Sequence, residues 1–353
     1  LYKNEESLIS ECIESILKFE LPKNIKTEIL IIDGISTDNT CDIIKKIQKK
    51  DDRIKLIKNP QYYQSYAMNI GIKIAKGDWI LRLDAHSIYP KNYIKLCYQT
   101  AIRTSADNVG GLVISQPNGE KYQASLIQAL TTHIFGVGNS GFRVGMKEGR
   151  ADTVPFGFYK KEIFSKIGFF DERLVRAQDY EFNRRIIKSG GTIYLNPDIQ
   201  INYYNQKTLF QFLLKQIKYE APYNAFMWYL APYTIAYRHA ITLLFSIGFI
   251  GGIFLSPTSL EIKYAFLGVM AIYFLLSIIA ALQQAIKYKK VLHLFTLPVS
   301  FFLYHFLHGL GVLFGCLNIL LGTAPVQKAK EPWKDYGKFR IDQKRILNKN
   351  EKV

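Results

Sequence analysis

Apolar residues fall in short blocks along the first two thirds of the chain and in long blocks after about residue 239. Four early blocks, Glu28–Asp33 (EILIID), Ile54–Ile57 (IKLI), Asp78–Asp84 (DWILRLD) and Gly110–Ser115 (GGLVIS), run without clear apolar–polar alternation. That pattern predicts strands buried on both faces. Between them, Asn39–Lys50, Gln64–Lys76 and Lys91–Thr104 read as helices. The first of these follows Ser36, Thr37 and Asp38, residue types that cap helix N-termini. Strands that alternate with helices predict an α/β domain, with a mostly parallel sheet and helices on both faces.

The late blocks differ in kind. His239–Ser256 and Tyr264–Leu282 are nearly free of charge, and each approaches the roughly 20 residues that span a hydrocarbon core. They are predicted as membrane helices. A third block, Leu294–Gly322, contains Pro298, His305, His308, Gly309 and Gly311. A third span would carry the following basic tail outward, although residues 327–353 hold nine Lys or Arg against four Asp or Glu. The block therefore reads as a re-entrant or interfacial segment in preference to a third span. His305 and His308, three apart, are expected to serve packing or lipid headgroups and not a metal. Ahead of these blocks, residues 208–239 mix aromatics with Lys and Arg, as a helix lying on a membrane surface would. Lys287, Lys289 and Lys290 place the loop after the second helix in the cytosol. The expected division is a cytosolic catalytic domain over 1–235, with interfacial helices from about 208, a membrane region of two to three helices over 236–322, and a basic tail over 323–353.

The net charge of +17 is compatible with a lysine-rich solvated surface, with nucleic acid or with an anionic membrane surface. The apolar blocks favour the membrane. The lysines are dispersed and form no nucleic-acid recognition module, so no nucleic-acid partner is expected. Cys12, Cys41, Cys97 and Cys316 are scattered, without a CxxC pair. This argues against a disulfide framework or a structural zinc site and suits a reducing cytosol.

Two predicted strands end in an aspartate, Asp33 and Asp84, and in open parallel sheets ligands bind beyond the carboxyl ends of the strands. Asp84 and His86, two apart on extended chain, point the same way and could offer an oxygen and a nitrogen to a divalent metal. Imidazole ligation favours Mn²⁺ over Mg²⁺. The same pair also suits an ordinary turn. In "QDYEFNRRIIKSGG", Asp179 and Glu181 open a helix that ends near Gly190 and Gly191. They read either as acids placed against the helix dipole or as a general base in the crevice. "GVGNSG" at residues 136–141 matches the dinucleotide glycine pattern, but it follows no clear strand and opens no helix, so it is set aside.

Taken together, the motifs resemble inverting glycosyltransferases of family 2. "YKNEES" is similar to the family's Tyr-Asn-Glu opening, with Lys3 inserted. "IIDGISTDNT" is similar to its aspartate turn, "RLDAHS" to its metal motif, and "QDYEFNRRI" to its Glu-Asp motif with Gln178 in the place of Glu. The Asp-Ala-His metal motif followed by Tyr-Pro, the stretch "FGVGNSGFR" and the late "HGLGVLFG" resemble the succinoglycan-type exopolysaccharide enzymes. The resemblance implies a GT-A-type, Rossmann-like fold followed by C-terminal transmembrane helices, with a first strand ahead of Tyr2 that this sequence does not contain. It implies that Tyr2 and Glu5 border the nucleoside and that Asp33 hydrogen-bonds the uracil. Asp84 and His86 would hold Mn²⁺ or Mg²⁺ on the diphosphate, and Asp179 would be the base. Gln178, Glu181 and Gln216 are candidates to touch acceptor or diphosphate; Gln216 stands where the family's Gln-x-x-Arg-Trp motif would fall, here Gln-Ile-Lys-Tyr. The implied activity moves a hexose from a UDP-sugar to a lipid-linked saccharide, carried on a polyprenyl diphosphate, in surface-glycan synthesis. The enzyme would be multi-pass in the inner, cytoplasmic membrane with its catalytic domain in the cytosol. The alternatives are a polyprenyl-phosphate sugar synthase and a non-catalytic membrane scaffold that retains the fold.

Overall fold

The computed structural model describes residues 4–85 and 87–326, and the chain forms two compact units. In chain order the elements begin with α1 (Ile9–Leu17), β1 (Ile29–Asp33), α2 (Thr40–Gln48), β2 (Ile54–Lys58), α3 (Gln64–Ile74), β3 (Trp79–Leu81), α4 (Tyr93–Thr104) and β4 (Asn108–Gln116). There follow α5 (Tyr122–Thr131), α6 (Ile134–Val137), α7 (Gly141–Val144), β5 (Gly149–Arg150), β6 (Phe158–Lys160), α8 (Glu162–Ile167), α9 (Gln178–Lys188) and β7 (Ile193–Tyr204). The last part comprises α10 (Leu209–Lys215), a π turn (Gln216–Glu220), α11 (Ala221–Leu230), α12 (Tyr237–Leu255), α13 (Leu260–Tyr288) and α14 (Leu292–Leu320).

Residues 4–114 and 145–202 make the first unit. β1 and β2 pair in parallel, Ile29 against Ile54 through Asp33 against Lys58. Ile9 and Ile13 of α1, Ile31, Ile44, Ile54 and Ala85 form the core on this pair. The second sheet has the order β3-β6-β4-β7-β5. Here β6 runs antiparallel to both β3 and β4, and β5 runs antiparallel to β7. These pairs are antiparallel and β1–β2 is parallel, so the unit mixes both kinds of pairing where a mostly parallel sheet is expected from the apolar runs. β6 is only three residues long, but Phe158 and Tyr159 are buried, and Tyr159 packs in an aromatic cluster with Phe164, Phe170 and Phe182. A cavity of about 810 Å³ lies between the two sheets, walled by Ile29–Ile32 on one side and by residues 77–84 on the other, with α1 and α3 closing it. Among the described residues, β1 has β2 and β3 has β6 as its sole ladder partner, so each turns an open edge toward this cavity.

Residues 115–144 and 203–326 make the second unit. The stretch 115–144, expected within the catalytic domain, packs with the apolar helices. Leu126, Ile127 and Leu130 of α5 share a core with Ala280, Ala281, Leu297 and Phe301. α12, α13 and α14 are each long and apolar enough to cross a membrane. α12 and α13 leave Leu244, Phe254, Leu267, Ile272 and Leu275 exposed, a surface that suits lipid and not water. α14 is a single 29-residue helix, about 43 Å at helical rise, with Pro298 inside it. It does not turn back, which overturns the re-entrant reading. The stretch 208–239 is not one surface helix either. α11 buries Pro222, Ala225, Phe226 and Met227, and a Cβ at Gly315 would stand 2.6 Å from the Pro222 carbonyl oxygen.

Polar side chains stitch this unit internally. His308 pairs with the Thr242 hydroxyl at 2.9 Å and accepts from the Asn224 amide at 3.3 Å. His305 pairs with the Tyr273 hydroxyl at 2.8 Å and donates to the Gly136 carbonyl at 3.2 Å. Both histidines are packing groups, as expected. Gly136 and Gly138 of "GVGNSG" approach Leu130 and Arg238 too closely for a side chain, so that glycine pattern also serves packing.

Candidate active site

The candidate residues of the first unit gather at the ends of β1 and β3 and at the first turn of α9. The rim starts with two segments about thirty residues apart in sequence. Asn4 donates its backbone N–H to Ser36 Oγ (3.0 Å) and accepts from Thr37 N–H (2.9 Å). Glu5 N–H donates to Thr40 Oγ1 (2.9 Å), and the Glu6 carboxylate accepts from Asn39 N–H (3.0 Å) at the start of α2. The N-cap position of α2 is Asn39, whose side chain makes no capping hydrogen bond; Asp38, one residue earlier, accepts from Thr40 N–H (3.1 Å). Asp33 is buried and turned into this loop, where it accepts from Ser36 N–H, the Ser36 hydroxyl (2.7 Å) and the Cys41 thiol (3.3 Å). Burial, and then this carboxylate, push the Cys41 thiol up to about 11. Ile35, a β-branched residue, holds φ at +57° beside Asp33, a strained conformation of the kind found at ligand-binding turns.

Asp84 sits just past β3. Buried Tyr89 fixes its backbone twice over: the hydroxyl accepts from Asp84 N–H (2.7 Å) and donates to Asp84 C=O (3.2 Å). The Asp84 carboxylate is 13% exposed and accepts from Arg82 Nη2 (3.2 Å) and from the Gln64 amide (3.3 Å). Arg82 Nη1 reaches Asp179 Oδ2 at 3.4 Å, across 97 positions of sequence. Gln178 donates to Gln64 Oε1 at 2.8 Å. Arg82, Asp84, Gln64, Gln178 and Asp179 thus form a closed ring that ties the end of β3 to the first turns of α3 and α9. Ala177, with φ +60°, supplies the bend that delivers Gln178 and Asp179 to it.

Other candidates lie elsewhere. Glu181 is 2% exposed and ion-paired with Arg185, which also donates to the Phe169 carbonyl at 2.6 Å. It anchors α9 in the fold and does not share the crevice with Asp179. Gln216 begins the π turn of the second unit. Tyr2 and His86 lie outside the described residues. Arg82, Gln64 and Tyr89 are functional candidates that motif reading passes over. The available signal was an arginine inside the apolar run "WILRLD", which must be paired if buried.

The Glycosyl transferase family 2 profile matches residues 1–168. The dolichyl N-acetyl-alpha-D-glucosaminyl phosphate 3-beta-D-2,3-diacetamido-2,3-dideoxy-beta-D-glucuronosyltransferase of Methanococcus voltae is 31% identical over 324 residues, which is 89% of this chain and 95% of that protein. The chain belongs to glycosyltransferase family 2. The succinoglycan biosynthesis protein ExoA of Rhizobium meliloti is 30% identical to this transferase over 209 residues, covering 58% of the chain and 62% of the relative. Among solved structures, the mannosyltransferase PcManGT from Pyrobaculum calidifontis, in complex with GDP-Man and Mn²⁺, aligns with a TM-score of 0.55 at 16% identity over 90% of this chain and 85% of its own. That likeness shows the GT-A-like fold.

A divalent cation suits this donor set. Asp84 is a carboxylate at the crevice rim, 13% exposed, and cations bound with nucleotide diphosphates often take only one or two carboxylates from the protein. Among the described residues no three His, Cys, Asp or Glu side chains form a metal cluster, so phosphate oxygens and water would complete the shell.

Proposed function

We propose that the transferase moves a hexose from a UDP-sugar to a lipid-linked saccharide at the cytosolic face of the membrane, with inversion at the sugar C1. One observation carries the reading. Asp84 and Asp179, distant in sequence, are held on the two sides of one guanidinium. Such a pair suits a reaction that needs one acid group toward a diphosphate and another toward an attacking hydroxyl.

Asp179, 39% exposed, is the more accessible of the two. It would accept the proton of the acceptor hydroxyl as that oxygen bonds to C1, a contribution of about 10²–10⁴-fold. The bond from C1 to the diphosphate breaks on the opposite face, and UDP leaves with the electron pair. Asp84 would orient the diphosphate through a bound cation, whose Lewis-acid charge stabilises the leaving group. The stitched loops 4–6 and 36–40 would border the nucleoside, and the strained turn after Asp33 would shape the base pocket.

The candidate membrane helices support a lipid-linked acceptor, and the Methanococcus voltae relative is a transferase to a dolichyl phosphate sugar. Lys287, Lys289 and Lys290 at the end of α13 favour a cytosolic position for that end under the positive-inside rule. With one crossing back through α13 and another through α12, the residues before Tyr237 would share that side.

Thermal unfolding of the detergent-solubilised protein tests this reading with UDP plus Mn²⁺, GDP plus Mn²⁺, and UDP plus chelator. Saturation at about 100 times Kd should stabilise by about 2.7 kcal/mol. The expected result is a UDP shift that needs metal and is lost in Asp84→Ala, with transfer lowered at least about 100-fold in Asp179→Asn. Near-normal transfer by Asp179→Asn would remove that residue as the base. A shift with GDP alone would replace the uridine donor.

A further inference from the structure

We propose that Arg82 is a resident counter-charge that Asp84 shares between the guanidinium and the incoming divalent cation, and that it also positions Asp179. The inference rests on the reading that Asp84 and Asp179 serve one reaction centre.

Arg82 is 9% exposed, among the most deeply placed charges of the first unit. Its fork is divided. Nη2 lies 3.2 and 3.4 Å from the two Asp84 oxygens, and Nη1 lies 3.4 Å from Asp179 Oδ2. These contacts are longer than the usual 2.7–2.9 Å or so of a charge-assisted bond, as expected of one cation stretched between two anions. The guanidinium carbon also stands 5.6 Å from the Phe156 ring centroid, and the backbone N–H of Arg82 is held by Gly157 C=O at 3.1 Å. Nε is buried and has no hydrogen-bond partner among the described residues. The described side-chain hydrogen bonds of Arg82 all go to the two carboxylates.

The consequence follows from charge. One guanidinium offsets one of two carboxylates and keeps both in place when no metal is bound. A divalent cation at Asp84 must approach against that positive charge. Arg82 therefore weakens cation binding and leaves the site exchangeable, while its other branch holds Asp179 in position. Removing the charge but not the bulk, as in Arg82→Met, should have opposite effects on the two functions. Cation binding should tighten about tenfold or more, because the electrostatic opposition is gone. Transfer should fall about tenfold or more, because the base loses its orienting partner. Arg82→Lys keeps the charge but cannot fork to both acids. It should bind cation within about twofold of the parent and still lose kcat, with the donor KM unchanged.

The experiment is calorimetric titration of Mn²⁺ into the full chain in detergent, with UDP present, for the parent, Arg82→Met, Arg82→Lys and Asp84→Ala. The metal-free unfolding temperature is measured alongside. Tighter Mn²⁺ binding in Arg82→Met, together with a larger Mn²⁺-induced rise in Tm than in the parent, supports the proposal. If Arg82→Met binds Mn²⁺ equally or more weakly while Asp84→Ala abolishes binding, the proposal is overturned and the assignment of the metal carboxylate stands. If Asp84→Ala leaves Mn²⁺ binding intact, the metal reading of the site falls and Arg82 has no such role. Should Arg82→Met fail to fold, Arg82→Lys decides: a donor KM raised in step with a lost kcat would mark Arg82 as general scaffolding and overturn the proposal.

Discussion

At the scale of single residues, backbone fixation at Asp84 is as telling as its charge. Tyr89 is 3% exposed, and its hydroxyl serves both backbone polar groups of Asp84. Tyr89→Phe keeps the ring contacts with Phe19 and Tyr93 but leaves a buried N–H and C=O without that partner. A cost of about 1–3 kcal/mol is expected in denaturant unfolding, together with weaker UDP–Mn²⁺ binding because the carboxylate loses its anchor. Parent-like values for both would mean that the hydroxyl is not a positioning group. Cys41 offers a second residue-scale reading. Its thiol is pushed up to about 11 by burial and then by Asp33, so the neutral form persists until pH climbs toward that value. Alkylation of Cys41 at pH 8 should therefore run about a hundredfold slower than for an ordinary thiol, and Asp33→Asn should speed it. Peptide mass mapping of the label checks both. The aspartates at strand ends and in the first turn of α9 were legible in the sequence because their chemistry is local to each motif. The ring was not, since Gln64, Arg82 and Gln178 become neighbours only when three elements meet.

At the scale of elements, close packing explains the glycines of a motif that the sequence offers only as part of the family resemblance. "HGLGVLFG" places Gly309, Gly311 and Gly315 along the buried face of α14. A Cβ at Gly309 would overlap the Thr242 carbonyl oxygen and the Ser246 hydroxyl of α12. A Cβ at Gly311 would stand 2.7 Å from the Ala221 Cβ. Gly248 on α12 meets nothing within 4 Å. Gly309→Ala is expected to push α12 from α14 and destabilise the detergent-solubilised protein by about 1–3 kcal/mol. Gly248→Ala should be neutral or gain up to about 1 kcal/mol from reduced backbone freedom. Equal melting temperatures for the two variants would refute this packing account. Element legibility follows a similar division. β1, β2, α2 and α3 were readable because each is a clean apolar or amphipathic run. β7 was missed although it spans twelve residues, because Asn196, Pro197 and Asp198 interrupt its alternation. The buried polar Asn196 is held by the Thr100 hydroxyl at 2.8 Å, a long-range partner invisible to local pattern.

At the scale of the whole molecule, the division into units was only partly legible. The three apolar helices stand out by composition. That residues 115–144 belong with them does not, because α5 is no more apolar than a helix of a soluble core, and its partners are remote in sequence, Phe212 and Leu213 of α10 as well as Ala280, Ala281, Leu297 and Phe301. Gln284, for instance, donates to the Ala129 carbonyl and to the Thr132 hydroxyl. The first unit has the converse feature: among the described residues, a cavity lies between its sheets. The cavity between its sheets is bordered by the edges of β1 and β3 and by the apolar side chains of Ile9, Ile13, Ile16, Ala67, Met68 and Ile72, and its lining also includes the charged residues Glu28, Arg53, Asp78, Arg82 and Asp84. Strands in one sheet lie about 4.8 Å apart and expose backbone N–H and C=O along each edge. One added strand between β1 and β3 would pair both edges, join the sheets and cover those apolar walls. β1 is five residues long, so an extended apolar segment of about six residues is sufficient to match it. A chain that carries such a segment before Leu1 is expected to show a higher Tm than one without it, β1 and β3 amides protected from hydrogen exchange, and tighter UDP binding through the fixed strand ends that carry Asp33 and Asp84. The same six residues with alternating lysines should do none of these, because charge cannot enter that space unpaired. If the apolar and the charged extensions behave alike, the cavity is not a strand site, and the two sheets function as separate halves of the transferase.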